Sequence, residues 1–273
     1  MILYIVATPI GNLEDLTLRA TRILSEVDII AAEDTRHSAI LLRHLNIKKP
    51  MYSCHKFNEA KKINFFLEKL TEGKTIALIS DAGTPCISDP GHRLVHAAAE
   101  IGIKIIPICG ASAVMAALSV SGFNITEFTF LGFLSKNHVF KPGLSVFYES
   151  PRRIHKTLMS IPHPTADICV CNDLTKKFEQ IYCGNIKKVL QELTENPNMH
   201  KGEYTCVINI PNTDEPSSTD ISIESQIVDH MVKHNTSLKE AMEYVHKQRK
   251  DLSKREVYSA MLALKRRFNE KEN

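Results

Sequence analysis

Three short stretches of this chain combine glycine with small or polar residues: Thr8-Pro9-Ile10-Gly11-Asn12, Asp81-Ala82-Gly83-Thr84-Pro85 and Gly110-Ala111-Ser112. Each directly follows a β-branched apolar run. Glycine occupies only 11 of the 273 positions, against an average of ~7% in proteins, so these placements carry information. Loops of this kind let backbone amides approach a small molecule closely. Taken singly, each is also compatible with a plain tight turn. A fourth run ends in Glu33-Asp34-Thr35-Arg36, which offers a carboxylate for proton removal beside an arginine for a phosphate. A structural ion pair capping the next helix would use the same residues equally well.

Other chemistry is excluded or weakly signalled. Neither Gly-x-x-x-x-Gly-Lys-Ser/Thr nor Gly-x-Gly-x-x-Gly follows the first run, which argues against an NTPase, a dinucleotide dehydrogenase and any polyphosphate ligand. His92 and His96 have helical i,i+4 spacing without the glutamate of a zinc-protease helix, and packing explains them better. No metal site is expected. Cys169 and Cys171 share one side of a predicted strand without a partner pair, as core thiols would. The seven cysteines are odd in number and widely spread, which predicts reduced thiols, no disulfide framework and a cytoplasmic setting.

The elements that must position these residues follow from hydrophobic periodicity. Apolar runs over 2–7, 27–32, 75–80, 104–109 and 128–133 alternate with amphipathic segments over 16–25, 37–45, 58–70 and 94–101, the pattern of a mostly parallel sheet covered by helices. The three small-residue loops then lie together at strand C-terminal ends, where open α/β sheets bind ligands. Apolar periodicity lapses over 135–143, which separates a first α/β domain, 1–134, from a second, 144–211. The second reads as strand 145–149, helix 152–159, strand 168–171, a further strand over 179–183, helix 186–194 and strand 204–210. Residues 211–220 are turn formers and read as a solvated linker. Beyond them, segments 223–234, 237–247 and 253–267 form a helical module over 222–268. Ser237-x-x-Glu240 and Ser253-x-x-Glu256 both fit a capping box. Its last two helices suit a helix-turn-helix or a small packing or dimerisation bundle.

Composition bounds the class. Hydrophobic residues make up 43% and charged residues 24% of the chain, enough to bury a core. The opening apolar run stops far short of the ~20 residues that span a membrane. Net charge is +3, yet residues 247–273 hold nine Lys/Arg against four Asp/Glu.

Four ordered motifs resemble a known family: Ala7-Thr8-Pro9-Ile10-Gly11-Asn12-Leu13, Ala32-Glu33-Asp34-Thr35-Arg36, Ser80-Asp81-Ala82-Gly83-Thr84-Pro85 with Ile87-Ser88-Asp89-Pro90-Gly91, and Phe147-Tyr148-Glu149-Ser150-Pro151. They are similar to the ribosomal RNA small-subunit methyltransferase I family, of the tetrapyrrole-methylase fold. The likeness runs from Met1 to about Ile210 and continues weakly into the C-terminal helices. It implies two α/β domains with the cofactor cleft between them, and S-adenosylmethionine-dependent 2′-O-methylation of a cytidine ribose in the decoding region of small-subunit ribosomal RNA. It also implies a cytoplasmic homodimer that works on the RNA or the small ribosomal subunit.

Carried over by motif, the cofactor positions are Pro9, Gly11, Asp81, Ala82, Gly83, Ile87, Ser88, Ala111, Ser112 and Ala113, with Tyr148, Leu174 and Tyr204 closing the site from the second domain. Glu33, Asp34 and Arg36 become the catalytic candidates, and Arg152, Arg153, Lys176 and Lys177 the candidates for RNA phosphates. The sequence departs from the family's usual residues at Cys86, Ala111, Asn172 and Asp173, and the segment 134–144 is short. Two other readings stay open: a methyltransferase of the same fold acting on a tetrapyrrole or other small molecule, and a noncatalytic RNA-binding or ribosome-assembly factor.

Overall fold

Parallel strands with both faces covered need near-continuous apolar runs, and four of the expected runs become such strands in the computed structural model, which describes residues 1–136, 138–163, 166–211, 222–249 and 252–269. In chain order the first half runs β1 (Ile2–Val6), α1 (Leu18–Glu26), β2 (Ile29–Ala32), α2 (Thr35–His44), β3 (Met51–Ser53), α3 (Glu59–Thr71), β4 (Thr75–Ile79), α4 (His92–Glu100), β5 (Lys104–Ile108) and α5 (Ala113–Val120). The sheet order is β3-β2-β4-β1-β5, every neighbouring pair parallel. β2 is buried at all its positions. Both ends of the sheet suit an edge: β3 is short, and β5 carries Pro107, which has no N–H for a further neighbour. Neither β3 nor α5 was expected from periodicity, the one being too brief and the other too uniformly apolar to show it.

The second half differs from expectation. It continues β6 (Thr129–Phe133), β7 (Gly143–Glu149), α6 (Ile154–Met159), β8 (Asp167–Asn172), β9 (Gln180–Asn185), α7 (Ile186–Glu195) and β10 (Tyr204–Ile210). Strand β6, read from sequence as the close of the first domain, instead pairs in parallel with β7 in a second sheet of order β6-β7-β10-β8-β9. The other pairings in that sheet are antiparallel. Sheet membership therefore changes before the aperiodic stretch at 135–143, because Phe130 and Leu131 pack with the second sheet's cores. Cys169 and Cys183 face each other in register on β8 and β9 and are joined as a disulfide, which corrects the expectation of reduced thiols at that pair. Cys171 and Cys206 are free and buried, as core thiols would be.

Residues 1–211 form one compact unit and 212–273 another. The linker expected over 211–220 lies outside the described residues after Pro211. The second unit contains α8 (Ile223–His234), α9 (Leu238–Gln248) and α10 (Lys254–Asn269), which share a core of Ile227, Ala241, Val245, Val257 and Met261. α8 stops at Asn235 in the left-handed region, and a capping box at Ser237 and Glu240 restarts the chain as α9. The reciprocal bonds of Ser253 and Glu256 build the second box at the head of α10.

Candidate active site

The C-terminal ends of β1, β4 and β5 bring the three small-residue loops into direct contact. Thr8 and Gly83 exchange backbone hydrogen bonds of 2.9 and 3.0 Å, and the Thr8 hydroxyl donates to the Ser80 carbonyl at 3.1 Å. Gly83 sits at φ +77, a conformation that suits glycine, and a Cβ there would come within 3.3 Å of Ile10. The Thr84 hydroxyl donates to the Ala111 carbonyl at 3.2 Å, and a Cβ on Gly110 would meet that of Ala7 at 2.9 Å. Ser112 caps α5 by accepting from the Met115 N–H. At the far end of the loop after β4, the backbone N–H groups of Gly91, Arg93 and Leu94 donate to Glu59 of α3, which is 3% exposed, so α3 holds the end of that loop in place.

Between this edge and the second sheet lies a cavity of about 440 Å³, within the usual range of ~300–1,000 Å³ for small-molecule sites. Asp81, Ala82, Gly83, Ile87, Ser88, Ser112 and Ala113 line it from the first half, and Tyr148, Leu174 and Tyr204 from the second. Ten of the thirteen residues expected at the cofactor are thus together. Pro9 and Gly11 line a neighbouring chamber of about 450 Å³, which shares Ile10, Asp81, Ala82, Lys176 and Glu203 with the first. Ala111 stands outside both linings and contributes its carbonyl to Thr84. A side chain on Gly11 would run into Lys176 and the Leu174 carbonyl, so the first loop touches the loop after β8. The second chamber also meets α2 through His37, Ile40 and Ser38, whose buried hydroxyl has no hydrogen-bond partner.

The catalytic candidates separate. Glu33 lines the main cavity, while Asp34 and Arg36 line neither chamber. Asp34 caps α2, accepting from the Arg36 N–H at 2.8 Å and pairing with its guanidinium at 2.6 Å, and those bonds hold its carboxyl well below the usual range. That is the structural alternative weighed for the motif. Asp81 accepts from the Asp34 N–H at 3.1 Å, and Glu33 from the Asp81 N–H at 3.4 Å, so the loops after β2 and β4 interlock through their carboxylates.

The RNA candidates are largely committed elsewhere. Arg153 donates to the Leu134 carbonyl and pairs at 3.2 Å with Glu149, a buried carboxylate that also accepts from the Thr157 hydroxyl and the Ser150 N–H. Lys176 is shared between Asp173 at 2.8 Å and Glu203 at 2.9 Å. Arg152 and Lys177 remain exposed.

Charge in the main cavity is lopsided. Glu33, Asp81 and Asp89 face it without an ion-paired base among the described residues. Burial pushes Asp89 up to about 6, with Glu33 and Asp81 adding to the effect, and burial likewise raises Glu33. Tyr148 is raised to about 12 by burial and by nearby Asp89 and Glu203. Ionising carboxylates together in a half-buried space is unfavourable unless a cation joins them. Asp89 was not singled out from sequence, although it stands in the Ile87-Ser-Asp-Pro-Gly91 motif. Glu203 carried no local signal, because it meets Lys176 only once β8 and β10 are paired, whereas Asp173 stands three residues from Lys176 and was noted from sequence only as a departure from the family pattern.

Comparison with known proteins agrees with this arrangement. A family model described as Tetrapyrrole (Corrin/Porphyrin) Methylases matches residues 2–190. Ribosomal RNA small subunit methyltransferase I of Pasteurella multocida is 46% identical over 220 residues, covering 76% of this chain and 78% of that protein. The protein of the same name from Synechocystis sp. is 39% identical over 277 residues, covering 96% of this chain and 98% of its own length. Among solved structures, diphthine synthase superposes with a TM-score of 0.60 at 13% identity, covering 77% of this chain and 90% of that one. Uroporphyrin-III C-methyltransferase from Thermus thermophilus, complexed with S-adenyl homocysteine, gives 0.54 at 15%, covering 77% and 97%. Likeness at those identities speaks for the fold. On the family match and the two close relatives, this chain belongs to the tetrapyrrole methylases, S-adenosylmethionine-dependent methyltransferases, and within them to the ribosomal RNA small subunit methyltransferase I family.

Proposed function

We propose that this chain methylates the 2′-hydroxyl of a cytidine ribose in the decoding region of small-subunit ribosomal RNA, acting in the cytoplasm as a homodimer. The observation that carries the reading is the pair of chambers with a common wall at Ile10, Asp81 and Ala82, one for a methyl donor and one for an acceptor. S-adenosylmethionine fits the first on the chemistry of its lining. The unpaired carboxylates suit its sulfonium and ammonium, and the glycine at 83 leaves backbone accessible where a side chain would intrude. When bound, the cofactor supplies a methyl group already activated for in-line transfer.

What remains for the protein is alignment and proton removal. Asp81 is fixed by the Asp34 N–H and is suited to receive the cofactor's ammonium. Tyr148, Leu174 and Tyr204 form the opposite wall and exclude water. Asp89, whose carboxyl burial pushes up to about 6, and Glu33 beside it, also raised by burial, are the groups suited to take the ribose proton. Pro9 and Gly11 take the acceptor side. Methyl transfer from labelled S-adenosylmethionine to isolated small subunits, followed by mapping of ribose methylation, tests the reading. A single modified cytidine supports it. Unmodified subunits together with a methylated precorrin-like compound would replace it with the small-molecule alternative, and absence of cofactor binding in calorimetry would leave a noncatalytic factor.

A further inference from the structure

The two basic residues best placed beside the cavity, Arg153 and Lys176, are occupied by carboxylates, which raises the question of where phosphates would be held. Between Arg43 and Lys62 the chain carries six Arg/Lys, at 43, 48, 49, 56, 61 and 62, against the single carboxylate of Glu59. That carboxylate is turned inward onto the backbone of Gly91, Arg93 and Leu94 and neutralises nothing outside. None of the six bases is ion-paired among the described residues. Lys62 lies over the Phe65 ring at 5.4 Å. In a molecule of net charge +3 this concentration repels itself and lowers stability.

Within this stretch, between Lys56 and Lys61, stands Phe57, 89% exposed. It projects from a turn fixed by four hydrogen bonds: the His55 N–H donates to the Asn58 side chain at 2.8 Å, the Phe57 N–H to His55 Nδ1 at 3.2 Å, and the Asn58 and Glu59 N–H groups to the His55 carbonyl at 2.9 and 2.8 Å. Apart from an edge contact with the His55 ring, centroids 6.1 Å apart, this large apolar ring stands in water. The turn is also next to the chemistry. Ser53 pairs with Ala32 in register, so the residues that follow β3 lie beside Glu33 at the same sheet edge, and the His55 charge acts on the Glu33 carboxyl.

We propose that single-stranded RNA docks on the β3–α3 turn, with a base stacked on Phe57 and phosphates against Lys56, Lys61 and Lys62, and is led from there toward the cavity. Aromatic platforms flanked by lysines bind unpaired nucleotides by stacking and charge together. The proposal rests on the RNA reading of the site. It would place the RNA track along the first sheet's edge instead of on the candidates at 152–153 and 176–177.

The test uses the full chain, with a fluorescein-labelled cytidine 12-mer and purified small subunits as probes. Phe57→Ala is expected to weaken 12-mer binding ~10-fold. The double variant Lys56→Ala/Lys61→Ala is expected to lower the slope of log affinity against log salt by ~1.4, at ~0.7 per phosphate no longer neutralised. Calorimetric affinity for S-adenosylmethionine should stay at the wild-type value in both, which also reports that they fold. Wild-type affinity and salt slope in the variants, with subunits still methylated, would overturn the track and leave the activity standing. A lysine effect without a Phe57 effect would overturn the stacking platform. Failure of the wild-type chain to bind either probe would overturn both the track and the RNA reading, and point the patch toward an acidic protein partner.

Discussion

The two sheets meet at one cavity but build it by different means. The first offers backbone: parallel strands end together, and glycine and small residues at 82–83 and 110–113 keep side chains out of the way. The second offers side chains: antiparallel strands alternate their ends, so Tyr148, Glu149, Leu174 and Tyr204 reach the cavity as a wall. A loop edge of the first kind tolerates little added bulk and depends on local conformation. A wall of the second kind depends on burial and on ion pairs, of which Lys176–Glu203 joins residues far apart in the sequence.

That contrast can be broken at either face. On the wall, Glu149→Ala removes a carboxylate that is 1% exposed, takes from Arg153 its ion-pair partner and leaves the Thr157 hydroxyl and the Ser150 N–H without their acceptor. The expected cost is ~3 kcal/mol of stability, read by urea denaturation, and a loss within error of zero would mean the wall is not tied together there. On the loop edge, Gly83→Val places a β-branched residue at φ +77 against Ile10. The expected outcome is at least a ~10-fold weaker affinity for S-adenosylmethionine with little change in global unfolding, since the strain of ~1–2 kcal/mol is local. An equal fall in both quantities would erase the distinction between edge and wall.

Asp89 sharpens the comparison because it stands on the loop side facing Tyr148 on the wall, with Glu33 and Asp81 beside it. Its folded carboxyl is raised to about 6 from 3.8. A raised group stabilises the fold fully below its unfolded value, and that contribution is lost as pH rises through about 6. With Asp89 in its proposed role as proton acceptor, methyl transfer should rise over the same interval. Asp89→Asn should flatten both profiles, and an unaltered pH–rate curve would remove Asp89 from the proton path. The smallest effect is expected at Cys86, a non-glycine residue at φ +70 on the loop after β4. Cys86→Gly relieves backbone strain of ~1 kcal/mol but gives up the packing of the sulfur against the first sheet's core. Thermal unfolding should therefore shift by only a few degrees, and a large fall would show that packing dominates there.

The loop edge was legible in the sequence because its determinants are local. β-branched runs read as strands, glycines directly after them read as loops, and the motif around Asp81 and Gly83 matched a family over a continuous stretch. The capping boxes at Ser237 and Ser253 were readable for the same reason, each spanning a single turn. What the tertiary structure alone decided depends on partners far apart in the chain. Strand β6 joined the second sheet because its side chains pack there, and the antiparallel pairings of β10 brought Glu203 to Lys176. Asp89 likewise emerged beside Glu33, whereas the Glu149–Arg153 pair and the Asp34 cap on α2 each close within four residues, and there the fold chose between readings the sequence already offered. Periodicity records which face of an element is buried. It carries no record of which neighbour buries it, and the charge balance of this site is set by those neighbours.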